Sequence, residues 1–374
     1  MSYESYFAER REQQLGELKE FLTIPSISAL SEHKQDMIKA AEWVAGKLEA
    51  AGLENVKIHQ TAGHPIVYAD HLHAPGKPTI LVYGHYDVQP VDPLNLWETP
   101  PFEPTERDGK LYARGATDDK GQVFLHVKAV EALLNQEQKL PVNVKFCIEG
   151  EEEISSPSLL TFLNEQQSLL ATDAVLISDT SLIEKGKPAI SIGLRGLCSL
   201  EVSINASNTD LHSGTYGGGV PNALHAMIEL LASLHDKHGH ITVEGFYEGV
   251  PELTAALHEE FEKQNFNEEQ LKKTLGLSTL YGEEGFTFVE RTGARPTLEL
   301  NGVWGGFQGE GTKTVIPKEA HAKITCRLVG QQDPQRILDA IIAHLHANVQ
   351  PGVTLKVKPG EKARAFDMDP SIPL

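Results

Sequence analysis

The first residues that could carry chemistry are a histidine and an aspartate that follow an apolar strand in the sequence. Residues 79–83 read Thr-Ile-Leu-Val-Tyr, and His85 and Asp87 follow. The carboxyl end of a strand is where an α/β sheet places its ligand site. On an extended segment both side chains lie on one side, so His85 could bind a metal ion while Asp87 accepts the proton of the other ring nitrogen. Taken alone, the pair is better explained by a structural histidine.

Two adjacent carboxylates, Asp118 and Asp119, are the second candidate. Gly115 and Gly121 flank them, and a helix is predicted from Gln122 onward. Neighbouring carboxylates repel each other unless a cation or a hydrogen-bond donor lies beside them, which suggests a metal site. An N-cap pair in front of the helix explains them equally well.

The third and fourth candidates also follow apolar strands. Residues 149–153 read Glu-Gly-Glu-Glu-Glu behind a predicted strand, and Asp179 follows the apolar residues 174–178. One glutamate of the run could bind a metal ion while its neighbour acts as a general base. The alternatives are a solvated acidic loop and a turn aspartate, and for Asp179 in isolation the turn is preferred.

All four candidates are expected at one edge of the predicted sheet, because each one follows a strand of that sheet or begins a helix that packs on it. Carboxylates gathered at one edge of a sheet would repel each other without cations, so a site for two metal ions is the natural solution. Histidine, aspartate and glutamate from separate loops are the usual ligands of zinc and similar divalent ions.

The elements that must position these residues alternate between strand and helix. Apolar periodicity predicts helices near residues 3–21 and 122–134 and strands near 79–83 and 143–149. The alternation predicts an α/β domain with a mostly parallel sheet flanked by helices. Beyond about residue 190 the pattern changes to an antiparallel α+β unit, in which residues 253–275 read as one charged helical stretch.

Composition excludes several classes of protein. The formal net charge is -19, from 52 acidic and 33 basic residues, and a nucleic-acid binder would need a basic surface. The three cysteines have no close spacing, which argues against a disulfide framework or a CxxC zinc site. Because the sequence shows no apolar signal core and no long apolar run, we expect a cytoplasmic protein without membrane contact.

At this point the motifs identify a family. The sequence resembles the co-catalytic zinc peptidases, which include carboxypeptidase G, aminoacylase, succinyl-diaminopimelate desuccinylase and the cytosolic dipeptidases. Five blocks stand in the order and spacing of that family, and several of them are most similar to the dipeptidase branch. The blocks are Gly84–Val88, Gly115–Gly121, Glu149–Glu153, Asp210–Gly214 and Lys313–Pro317.

The resemblance implies a domain organisation. Residues 1–190 would form the first part of the catalytic metal-binding domain, with an α/β sheet. Residues 191–366 would be an inserted α+β domain that serves as lid and makes a homodimer. Residues 367–374 would begin the returning catalytic segment.

The resemblance also implies roles for individual residues. The metal ligands would be His85, Asp118, Glu153 and Asp179, with Asp118 bridging two ions and followed by a cis peptide bond. Asp87 would support His85, and Glu152 would be the general base. In the inserted domain, His212 would stabilise the oxyanion in the partner's site and Arg327 would bind the terminal carboxylate of the substrate.

These roles imply a metal-dependent dipeptidase or short-peptide carboxypeptidase. Two divalent ions are expected, with zinc first and manganese or cobalt as alternatives. An N-acyl amino acid deacylase is the alternative enzyme, because the same metal chemistry serves both substrates. A non-catalytic, dimerising binding protein is the alternative outside enzymes.

The C-terminal part of the sequence departs from the family's pattern. The family's returning segment completes the sheet, contributes a Gly-Ser substrate loop and brings a last histidine ligand. These 374 residues carry no match to it. We therefore expect a truncated chain in which Asp118, Glu153 and water alone hold the second ion, and in which activity is impaired.

Overall fold

A computed structural model describes residues 2–180, Gly186 and residues 190–368. The chain divides into two compact units, which meet in the sequence between Ala189 and Ile190. Each unit has its own sheet and its own buried apolar cluster. No helix among the described residues is both long and apolar enough to cross a membrane.

The first unit contains five helices and seven strands among its described residues. The helices are α1 (Tyr3–Leu22), α2 (Lys34–Ala50), α3 (Lys120–Glu137), α4 (Leu159–Glu165) and α5 (Gln167–Leu170). The strands are β1 (Glu54–His59), β2 (Ile66–His71), β3 (Thr79–His85), β4 (Thr105–Arg107), β5 (Lys110–Tyr112), β6 (Asn143–Glu149) and β7 (Ala174–Ile177).

The main sheet of this unit has the order β1-β2-β6-β3-β7. Strands β6, β3 and β7 are parallel, whereas β1 and β6 pair antiparallel with β2. The α/β class is as predicted, but the sheet is mixed rather than mostly parallel. The short connection over residues 60–65 accounts only for the antiparallel pairing of β1 with β2, because a parallel pair needs a long crossover. Strand β2 also pairs antiparallel with β6, from which it is far separated in the sequence.

Helices cover both faces of this sheet. Apolar side chains of α2 and α3, such as Val44 and Val127, pack with Val82 and Phe146 in one cluster. Phe162 of α4 packs on the opposite face with a second cluster. The parallel strands β3 and β6 end together, with His85 directly opposite Glu149, so the loops that follow them leave from the same edge.

The second unit contains six helices and eight strands among its described residues. The helices are α6 (Ser213–Tyr216), α7 (Ala223–Ala232), α8 (Ala255–Lys263), α9 (Glu268–Leu275), α10 (Phe288–Gly293) and α11 (Pro334–Asn348). The strands are β8 (Gly193–Leu194), β9 (Gly196–Asn205), β10 (Leu211–His212), β11 (Thr297–Gly305), β12 (Val315–Ile316), β13 (Glu319–Leu328), β14 (Thr354–Ala363) and β15 (Phe366–Asp367).

Its main sheet is antiparallel, with the order β11-β13-β9-β14. Alternate residues of β9, including Cys198, Leu200 and Val202, are buried against α7 and α11. The intervening side chains of β9 are half-buried or exposed and form the other face. This α+β unit agrees with the predicted class.

The charged stretch over residues 253–275 is two helices, not one. Helix α8 ends at Lys263, and Asn265 adopts a left-handed φ of 46°. Asn267 then caps α9, where its side chain accepts a hydrogen bond from the backbone N–H of Gln270. Asparagine tolerates the left-handed region and is a preferred N-cap, so it ends one helix and begins the next.

The functional assignment of the predicted domains, 1–190, 191–366 and 367–374, stays a prediction. Asp367 pairs with Gly193 inside the second unit. Residues 369–374, which fall in the predicted returning segment, lie outside the described residues.

Candidate metal centre

His85, the last residue of β3, lies at the centre of the candidate site and is fully buried. Its Nδ1 lies 3.1 Å from the backbone oxygen of Asp87 and 3.3 Å from Asp87 Oδ1. Because both neighbours are acceptors, Nδ1 carries the ring proton and Nε2 is left to face the cluster. Nε2 is buried without a hydrogen-bond partner, although it lies 3.3 Å from Asp118 Oδ1 and 3.7 Å from Asp179 Oδ2.

The turn before α3 brings Asp118 to this nitrogen. The peptide bond between Asp118 and Asp119 is cis, as the resemblance implied. Asp119 accepts a hydrogen bond from the backbone N–H of His85 at 3.1 Å, which ties the turn to the end of β3. Gly84 permits this contact, because a Cβ there would lie 2.6 Å from Asp119 Oδ2.

Asp87 connects the histidine to the acidic run. Its carboxylate accepts hydrogen bonds from the backbone N–H groups of Glu152 and Glu153, at 3.3 and 3.1 Å. These two residues begin a short 3₁₀ turn, Glu152–Ile154, behind strand β6. A single buried carboxylate therefore faces the His85 ring and also fixes the backbone of both glutamates.

Three acidic side chains, those of Glu152, Asp179 and Asp118, converge at His85. Ligand atoms of His85, Glu152 and Asp179 lie within 4.8 Å of one another. Asp118 joins them through its contact with His85 Nε2. The Glu153 carboxylate instead accepts a hydrogen bond from Gln89 Nε2 at 2.6 Å.

The electrostatics of the cluster reflect burial and crowding. Burial raises the pKa of Glu152 to about 7, and the charges of Glu153, Asp179 and Asp87 add to this. Burial also raises the pKa of Asp119 to about 7. Burial alone would lower the pKa of His85, but the facing carboxylates of Asp118, Asp179 and Asp87 hold it well above its ordinary value.

These residues fit a divalent metal ion. The unpartnered Nε2 of His85 faces two carboxylates, and imidazole with carboxylate is a donor set that zinc, manganese and cobalt accept. Cations would relieve the mutual repulsion that crowding imposes on Glu152 and its acidic neighbours.

His212 and Arg327, the other two predicted site residues, belong to the second unit. His212 ends β10, where its Nδ1 accepts a hydrogen bond from the backbone N–H of Gly214 and its Nε2 lies 3.3 Å from Thr314 Oγ1. Arg327 lies in β13 between Thr297 and Leu197, and it is exposed.

Two residues close to the candidate ligands were not predicted as site residues: Gln89 contacts one of them, and Lys120 follows Asp119 in the sequence. Gln89 donates a hydrogen bond to the Glu153 carboxylate. Its position could have been predicted, because residues 85, 87 and 89 are each two residues apart on one extended segment and therefore lie on the same side. Lys120 is fully buried, and its Nζ donates to the backbone oxygens of Phe21 and Ile24 at 3.1 and 2.6 Å. No pattern in the sequence indicates that this lysine joins the end of α1 to the start of α3.

Comparison with known proteins gives one family. Residues 81–361 match the family model described as Peptidase family M20/M25/M40. The chain is 33% identical over 344 residues to the Beta-Ala-His dipeptidase of Rattus norvegicus, covering 88% of this chain and 70% of the relative. It is 31% identical over 349 residues to the Cys-Gly metallodipeptidase dug1 of Schizosaccharomyces pombe, covering 90% and 73%. The crystal structure of human carnosine dipeptidase 1 matches 98% of this chain and 80% of its own, with a TM-score of 0.83 and 30% identity.

Proposed function

Because this chain belongs to peptidase family M20/M25/M40, we propose that it hydrolyses dipeptides with two metal ions held by its first unit. Family membership and the dipeptidase relatives confirm the predicted enzyme class, a metallopeptidase, and do not favour the alternative, an N-acyl amino acid deacylase. The observation that carries the proposal is the convergence of His85, Glu152 and Asp179 within 4.8 Å.

Four residues would hold the ions. The first ion would be held by the unpartnered Nε2 of His85 and by the two carboxylates that face it, Asp118 and Asp179. Glu153 and Asp118 would hold the second ion. When bound, the ions would lower the pKa of a water molecule and polarise the carbonyl of the scissile amide. Zinc is the expected metal, with manganese or cobalt as alternatives.

Glu152 acts as the general base. A base whose pKa lies near the working pH accepts and returns a proton efficiently, and burial raises the pKa of Glu152 to about 7. Glu152 takes the proton of the attacking water and transfers it to the leaving amine. Asp87 holds the Glu152 backbone through the N–H hydrogen bond at 3.3 Å and so keeps the base beside His85.

Two residues of the second unit complete the proposed chemistry. His212 stabilises the negative charge that develops on the carbonyl oxygen, and it would do so in the site of a partner chain in a homodimer. Arg327 binds the terminal carboxylate, because the planar guanidinium can form two parallel hydrogen bonds with it. The exposure of Arg327 leaves its guanidinium accessible to a substrate.

The proposed substrates are dipeptides with a free terminal carboxylate. The relatives carry the names Beta-Ala-His dipeptidase and Cys-Gly metallodipeptidase, which both describe such compounds. The three cysteines are free and buried, which suits the reducing cytoplasm, the proposed location.

A substrate screen with metal control tests the proposal. The protein is stripped with a chelator, reloaded with zinc, manganese or cobalt, and offered dipeptides and N-acetyl or N-succinyl amino acids. We expect dipeptide hydrolysis that disappears with the chelator and returns with metal. Hydrolysis of N-acyl amino acids alone, or activity that survives complete metal removal, would overturn the proposal.

A further inference from the structure

Two arginines among the described residues of the second unit make neither a hydrogen bond nor an ion pair. Of the six arginines in its described residues, four donate to an acceptor: Arg291 to the backbone oxygen of Glu283, Arg295 to the Glu283 carboxylate, Arg336 to Glu248 and Arg364 to Asp333. Arg195 and Arg327 make no hydrogen bond or ion pair with any described residue. They therefore differ from every other arginine in this unit.

The two guanidinium groups lie on the same side of the sheet. Leu197 of β9 is directly opposite Arg327 of β13. Arg195 precedes β9 by one residue and Leu197 by two, and side chains two residues apart on an extended segment share a face. Arg195 is thus the diagonal neighbour of Arg327, a position about 7–8 Å away across a pair of strands and within reach of long side chains.

Among the described residues, no acidic side chain forms an ion pair with either arginine. Arg195 is half-buried, and its burial together with the charge of Arg327 lowers the pKa of its guanidinium. Further along the same face, Lys323 has Glu201 at 3.9 Å. The side chain opposite Arg327 on β11 is Thr297, which carries no charge, and Glu299, two residues further along that face, forms no ion pair with either arginine. Two neighbouring guanidinium groups that are not neutralised by an ion pair favour the binding of an anion.

We propose that Arg195 and Arg327 together bind the terminal carboxylate of the substrate, and that Arg195 sets the preference for a free over a blocked terminus. The inference rests on the proposed function, because it takes the anion to be the carboxylate of a dipeptide. Arg327 is exposed, whereas the half-buried Arg195 approaches from the segment that leads into β9. Two planar donors can then engage both oxygens of one carboxylate, which a single lysine cannot do.

Equilibrium binding tests this assignment. The dipeptide β-alanyl-histidine and its terminal amide are titrated by calorimetry into metal-loaded Glu152→Gln protein, with and without Arg195→Met. We expect Arg195→Met to weaken dipeptide binding about tenfold to a hundredfold, because a charged hydrogen bond is lost. Binding of the amide should stay unchanged, so that the preference for the free carboxylate falls by the same factor. Arg195→Lys should restore only part of it.

Lys323→Met is the matched control, since it removes a cation from the same face that already has Glu201 beside it. Its dipeptide affinity should equal that of the parent. Equal loss of dipeptide and amide binding in Arg195→Met, or no loss of either, would overturn the role of Arg195. If the chain with Glu152 intact still hydrolyses dipeptides in that case, the proposed function stands. If that chain neither binds nor hydrolyses them, both fail.

Discussion

Asp87 accepts a hydrogen bond from the backbone N–H of Glu153 at 3.1 Å while its other carboxylate oxygen lies 3.3 Å from the His85 ring. One side chain thus fixes two proposed metal ligands that come from different strands. Asp87 is itself fully buried, and its charge is compensated by these donors, by the histidine and by the nearby charge of Lys120. Its position explains how an acidic loop behind β6 is held against the end of β3.

Replacing Asp87 by asparagine should weaken metal binding. The amide would lose the negative charge that faces His85 and would direct N–H groups at the backbone N–H of Glu152 or Glu153. Loss of such a supporting group typically reduces metal affinity about 10- to 100-fold. The measurement is a titration of the metal-free protein with zinc in competition with a chelating dye.

Asp70→Asn is the control for Asp87→Asn. Asp70 is also buried and accepts hydrogen bonds, from Asn55 at 2.9 Å and from Tyr68 at 2.8 Å, but on strand β2. It should lower the melting temperature and leave zinc affinity intact. An equal loss of affinity in both variants would show that Asp87 acts only through stability.

Replacing Glu152 by glutamine should abolish turnover without changing metal content. Glutamine keeps the size of the side chain but cannot accept the proton of the attacking water, and general-base catalysis contributes about 10²- to 10⁴-fold. Dipeptide hydrolysis and bound metal are measured on the same sample. Retained activity would end the assignment of Glu152 as the base.

The neighbouring acid offers a comparison. Glu151 accepts hydrogen bonds from the backbone N–H groups of His64 and Ser158, each at 3.0 Å. Glu151→Gln should therefore reduce stability and keep most of the activity. If Glu151→Gln lost turnover and Glu152→Gln did not, the two roles would have to be exchanged.

Stability should depend on pH through Lys128, which pairs with Glu17 of α1 and Glu131 of its own helix α3. Burial would raise the pKa of Glu17, but Lys128 holds it below the ordinary 4.5. Burial would lower the pKa of Lys128, but Glu131 and Glu17 hold it above the ordinary 10.5. The ion pairs therefore contribute fully to the free energy of unfolding between pH 4.5 and 10.5. This contribution is lost as pH falls through the lowered pKa of Glu17 and also as pH rises through the raised pKa of Lys128.

Lys128→Met tests this dependence. It should lower the free energy of unfolding by about 1–3 kcal/mol at neutral pH, because two carboxylates lose a charged partner. The difference from the parent, measured by denaturant unfolding, should shrink as pH falls below 4.5 and through the lowered pKa of Glu17, because Glu17 of the parent then also becomes protonated. Lys139→Met, at an exposed lysine, should change little at any pH. A difference that stays constant down to acid pH would contradict the ion pair.

The strands that position the site could be predicted because local pattern and tertiary environment agree. Strand β3, which ends at His85, and strand β6 are apolar and lie inside the sheet rather than at its edges. Their carboxyl ends could therefore be placed together before the structure was known. The positions of Asp118 and Asp179 beside His85 follow from the same logic.

What could not be predicted depends on pairing between distant segments. The mixed sheet results from β2 pairing antiparallel with β6, two strands that are more than seventy residues apart, and no local pattern encodes that direction. The proximity of Arg195 to Arg327 likewise depends on the register between β9 and β13. The contact of Lys120 with the end of α1 needs the packing of two helices that are far apart in the sequence.

The central claim, that His85 and the surrounding acids hold divalent metal, is tested most directly by counting the ions. The protein is reloaded with zinc, freed of excess metal, and analysed by mass spectrometry of the elements together with His85→Ala and Asp118→Ala. The account predicts two ions per chain in the parent and loss of bound zinc in both variants. A parent that binds no zinc, or variants that retain all of it, would contradict the account.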